Sequence, residues 1–81
     1  MLTPDQQRQL GADIDQSLEH AQASLRSIGN RQLTQQQHAD MDDIRNFIRQ
    51  AQATRSTDLP AAKRLAERAE VLARNLEKSL R

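Results

Sequence analysis

The chain has 81 residues, no cysteine, tryptophan or tyrosine, one phenylalanine (Phe47), and a net charge of +1 from 12 basic and 11 acidic side chains. This leaves room for a single domain over residues 1–81 and excludes disulfides and thiolate metal sites. It also argues against the strongly basic footprint of a nucleic-acid binder. No stretch approaches the roughly 18 apolar residues of a membrane span, and Met1-Leu2-Thr3-Pro4-Asp5 does not read as the start of a secretory leader.

Thr3-Pro4-Asp5-Gln6 has the form of a capping box. The threonine hydroxyl can accept a hydrogen bond from the third helical N–H while the glutamine reaches back to the cap, and proline suits the first helical position. The first helix is therefore predicted from about Pro4 to Ile28. Leu10, Ile14, Leu18, Ala21, Leu25 and Ile28 fall within an arc of about 80°. This narrow stripe has the form of a coiled-coil seam. Gly11 interrupts it at a cost of about 1 kcal/mol against alanine. Gly29-Asn30 is expected to end the helix with a left-handed residue.

Thr34-Gln35-Gln36-Gln37 repeats the capping box and opens a second helix over about 35–54. Met41, Ile44, Phe47, Ile48 and Ala51 form a broader apolar stripe with Phe47 at one edge, where it can cover the third helix. Arg55 extends the stripe at its end and is expected to snorkel or cap. Asp58 is the expected N-cap of a third helix over about 59–79, with Pro60 in its first turn. Leu59, Ala62, Leu65, Ala66, Ala69, Leu72, Ala73, Leu76 and Leu80 share one wide face there, whereas Val71 points away. Short connections between helices of similar length require antiparallel neighbours. The expected fold is all-α, an antiparallel up-down-up three-helix bundle.

Charge is segregated: residues 1–43 hold seven acids and three bases, and residues 44–81 hold four acids and nine bases. In the second helix Asp40, Asp42 and Asp43 precede Arg45, Arg49 and Arg55, an order that suits the helix dipole. The third helix carries Lys63, Arg64, Arg68, Arg74 and Lys78, with Arg81 just beyond, but Glu67, Glu70 and Glu77 interleave with them. Glu70–Arg74 and Glu77–Arg81 have the favourable i, i+4 order.

No catalytic constellation emerges. His20 lies at the edge of the first stripe, and His38 stands four residues before Asp42 on an outward face, with no Glu-x-x-His or His-x-x-x-His to complete a metal site. Asp13 and Asp15 diverge on a helix. With only Gly11 and Gly29, no phosphate-cradling loop can form. The chain reads as a non-enzyme with no cofactor, metal or small-molecule substrate.

Ile44-Arg45-Asn46-Phe47-Ile48-Arg49-Gln50-Ala51, followed by Thr57-Asp58-Leu59-Pro60-Ala61-Ala62-Lys63-Arg64-Leu65-Ala66-Glu67-Arg68-Ala69, resembles helical C-terminal segments of uncharacterised bacterial envelope proteins. The similarity extends over about residues 33–80 and implies a bacterial, periplasmic setting with no assigned activity. Without it, a cysteine-free chain suits the cytoplasm equally. The Asp58-to-Ala66 run also resembles the second helix of a tetratricopeptide-type repeat, but lacks its aromatics and its period of about 34 residues.

The function expected is therefore that of a helical interaction or structural module. Its contact surface would be the flank of the third helix's wide face that the narrow first stripe leaves uncovered, nearest Phe47, Leu65 and Leu72. Two alternatives are a small regulator binding nucleic acid through the basic third helix, and self-association through the heptad-like seam of the first.

Overall fold

A computed structural model describes residues 2–29 and 31–80. It contains three helices, α1 (Pro4–Ile28), α2 (Gln35–Thr54) and α3 (Leu59–Ser79), packed as an all-α bundle with extents of 45 × 17 × 15 Å.

Each helix begins where local chemistry dictates. Thr3 Oγ1 accepts from the Gln6 N–H at 3.1 Å, and Gln6 Oε1 accepts from the Thr3 N–H at 2.9 Å. Thr34 and Gln37 reproduce the same reciprocal pair at the same distances. Asp58 caps α3 by accepting from the Ala61 N–H at 3.1 Å. These bonds satisfy amide groups that have no partner within the helix.

At the end of α1, Gly29 is not itself the left-handed residue. Gly29 takes right-handed dihedrals (φ −46°, ψ −31°), and its N–H donates to the Arg26 carbonyl at 3.3 Å. The Arg31 N–H then donates to the Ile28 carbonyl at 2.9 Å. These i→i−3 bonds tighten the last turn and satisfy the Arg26 and Ile28 carbonyls; Asn30, the other half of the expected stop, lies outside the described residues.

Cross-helix pairs set the topology. Asp13–Lys63, His20–Glu70 and Ser24–Glu77 advance in the same direction, so α1 and α3 are parallel. Asp15–Arg55 and Arg68–Phe47 fix α2 antiparallel to both. The bundle runs up, down, up.

The core is contiguous: Ile14, Leu18, Ala21 and Ile28 from α1, Met41, Ile44, Ile48 and Ala51 from α2, and Ala62, Ala66, Ala69, Ala73 and Leu76 from α3. The four alanines of α3 are completely enclosed. Their small side chains let α3 lie close to both neighbours, so α3 packs on α1 and on α2 along its length while α1 and α2 approach each other less closely. Ile14 of α1 and Ile44 of α2 are among the most deeply buried large side chains. Val71, as expected, points to solvent.

Candidate protein-contact groove

The two flanks of the α3 core strip have opposite character. On the flank facing α1, Lys63, Glu70 and Glu77 recur every seven residues; on the flank facing α2, Leu65 and Leu72 share that spacing. A seven-residue step returns a helix to nearly the same angle, so each set forms a row along one seam.

The α1/α3 seam is closed by polar links. Lys63 Nζ lies 3.4 Å from Asp13 Oδ2, and Ser24 Oγ donates to Glu77 Oε1 at 3.2 Å. His20 Nδ1 is 2.7 Å from Glu70 Oε2, an oxygen that also accepts from Arg74 Nη2 at 3.0 Å. Arg31 Nη1 donates to the Leu80 carbonyl at 2.8 Å at the far end. Burial pushes the Glu70 carboxyl up, but hydrogen bonds from His20 and Ser17 and the charges of His20 and Arg74 outweigh it and hold the group below its ordinary range. Ser17 is buried at the centre of this network.

Where α1 meets the end of α2, the Arg55 guanidinium grips both carboxylate oxygens of Asp15, with Nη2 3.1 Å from Oδ2. Nη2 is also 3.4 Å from the Gly11 carbonyl. A Cβ at position 11 would sit 3.4 Å from that same nitrogen, in contact with only the end of a flexible side chain. The hydrogen bond from Arg55 lowers the Asp15 pKa and raises that of Arg55, and mutual attraction adds to both shifts, against the opposing effect of burial.

The α2/α3 seam is built otherwise. Phe47, Leu65 and Leu72 are half-buried, resting on the core with one side open. Arg68 places its guanidinium carbon 5.4 Å from the Phe47 ring centroid, within cation–π range. At one end of the groove Phe47, Ala61 and Leu65 line a hollow with Arg64 and Arg68. At the other, Leu72 and Leu76 line a hollow with Asp40, Asp43, Asn75 and Ser79. Among the described residues no ion pair crosses this seam, and none of Asp40, Asp43, Arg64 and Arg68 joins one.

Of the three residues expected to form the contact surface, Phe47 and Leu65 line one hollow of the α2/α3 seam and Leu72 lines the other. The position of two acids needs correction. No acidic residue stands in the first turn of α2, and a helix dipole acts mainly within that turn. The dipole therefore does not account for Asp40 and Asp43, which lie further along and edge the groove.

The histidines separate. His20 is joined to Glu70, whereas His38 is exposed and Asp42 lies 3.5 Å from Arg45 instead. Among the described residues no three His, Cys, Asp or Glu side chains gather where they could hold a metal, and no helix is long and apolar enough to cross a membrane. Sequence reasoning missed Ser17 and the His20–Glu70 link. The signal available for the latter was the recurrence of charge at Lys63, Glu70 and Glu77.

Compared with family models, curated proteins and solved structures, the chain matches none of them.

Proposed function

We infer that this protein is a helical interaction module that works through contact rather than catalysis, with the α2/α3 groove as its contact surface. The observation that carries this reading is the half-buried row of Phe47, Leu65 and Leu72, edged by charges that make no ion pair among the described residues. Large apolar side chains that are seated but incompletely covered are suited to complete their burial against a partner. The resemblance of residues 33–80 to bacterial envelope segments favours an envelope setting for such a module. The nucleic-acid alternative draws less support, because Lys63 and Arg74 of α3 are already paired with Asp13 and Glu70, which weakens the field offered to phosphates.

Site-specific photocrosslinking in the cells that make the protein tests this reading. A photoreactive residue at Asn75, in the groove, is expected to give a discrete adduct, and one at Glu19, exposed on α1, none. Adducts from neither position, or the same adducts from both, overturn it.

A further inference from the structure

We propose that the occupant of the α2/α3 groove is a second copy of this chain, docked antiparallel about a two-fold axis passing near Leu72. The proposal rests on the contact-module reading and deepens it by naming the partner. A symmetric dimer needs a surface complementary to itself. Here Arg64 and Arg68 flank one end of the groove and Asp40 and Asp43 flank the other.

Arg68 and Ser79, which mark those two ends along α3, are separated by about 16 Å at the helical rise of about 1.5 Å per residue. Leu72 lies between them. A two-fold rotation about an axis through that midpoint, perpendicular to the groove, reverses the groove's direction. The basic end of one copy then meets the acidic end of the other twice over; Leu72, beside the axis, meets its symmetry mate, and Phe47 and Leu65 lie opposite the other copy's acidic hollow, which Leu76 lines. In a parallel dimer like charges would face each other, so the charge pattern selects orientation as well as partner.

Two further observations agree. The row on the other flank of α3 is already joined to α1, so the α2/α3 seam is the flank left free for a second chain. Of the α1 stripe, Ile14, Leu18, Ala21 and Ile28 are enclosed within their own bundle and only Leu10 and Leu25 are partly open, so pairing along the whole seam would require the bundle to open. A net charge of only +1 opposes association weakly.

The test is sedimentation equilibrium of the full chain over a wide concentration range, with helicity followed on the same samples. The wild-type chain is expected to dimerise. The Asp40→Lys/Asp43→Lys and Arg64→Glu/Arg68→Glu variants should each remain helical and self-associate at least about tenfold more weakly. Mixed in equal amounts they should form a heterodimer, because one charged contact then keeps its native sense and the other is restored in reversed sense. Should either double variant lose helicity, the single exchanges Asp43→Lys and Arg64→Glu, both at exposed positions, give the same crossed test.

A chain that stays monomeric at every concentration overturns the proposal. So does a dimer indifferent to both reversals, or a pair of folded variants that do not combine. None of these results touches the broader reading, which the Asn75 crosslink decides: an adduct of mass other than two chains of 9.2 kDa retains the module and removes the self-pairing.

Discussion

The α1/α3 and α2/α3 seams share one helix and the same alanine strip, yet their edges differ. Along the first, every charged position of the Lys63, Glu70, Glu77 row has a polar partner on α1. Along the second, Leu65 and Leu72 occupy the corresponding row, with Phe47 beside them and, at both ends, charges that join no ion pair among the described residues. Polar links across a seam fix which residues stand opposite each other. Exposed apolar edges leave hydrophobic area to be covered from outside. One seam thus holds the fold in register while the other is available for contact, and a shift of two positions along α3 separates the two rows.

This contrast can be broken most directly at the core. Ile14→Ala, at a fully enclosed position, should cost about 2–5 kcal/mol, comparable with the whole stability of about 3–5 kcal/mol that a domain of this size commands. Phe47→Ala, at the half-buried edge, should cost only about 1–2 kcal/mol and leave a folded, helical chain. Urea unfolding of the two variants compares them. Equal losses would mean that Phe47 belongs to the core and that the α2/α3 edge is as closed as the other.

A smaller effect sharpens the polar side. The folded pKa of Glu70 lies below its ordinary 4.5. Its stabilising contribution is therefore fully present above about pH 4.5 and is lost as pH falls through the lower folded value. Glu70 is faced by His20 and Ser17 from α1 and by Arg74 on its own helix. Glu70→Gln should reduce stability by about 1 kcal/mol near neutral pH, and the difference from wild type should vanish in acid. A difference that is independent of pH would show that packing, not charge, is what the residue contributes.

The smallest change concerns Gly11. Its added Cβ would meet only the end of the Arg55 side chain, at ordinary contact distance. Gly11→Ala should therefore raise thermal stability by up to about 1 kcal/mol through helix propensity. A loss instead would show that the Arg55–Gly11 approach matters more than the backbone freedom of glycine.

How far the fold was legible depends on the range of the interactions involved. The starts of the helices follow from Thr3 with Gln6, Thr34 with Gln37, and Asp58, because a cap is closed by residues three positions apart. The stripes follow from periodicity, and Phe47, Leu65 and Leu72 were placed at the edge by the mismatch between a narrow first stripe and a wide third face. The His20–Glu70 and Arg55–Asp15 links join residues 50 and 40 positions apart, and only the packed register brings them together. Gly29 ends the helix in right-handed geometry, because glycine permits a left-handed end without requiring one. Asp40 and Asp43 misled because their order along α2 suggested a dipole effect that their distance from the first turn does not support.

The alanines at the centre of the bundle also have an entropic consequence. Ala62, Ala66, Ala69 and Ala73 have no side-chain rotamers to freeze, whereas each leucine in their place would forfeit about 0.5–1 kcal/mol of rotational freedom on burial. The middle of the molecule thus gains little hydrophobic energy per residue but is also ordered at almost no side-chain cost. Rotamer restriction falls instead on Leu76 and on the larger side chains of α1 and α2.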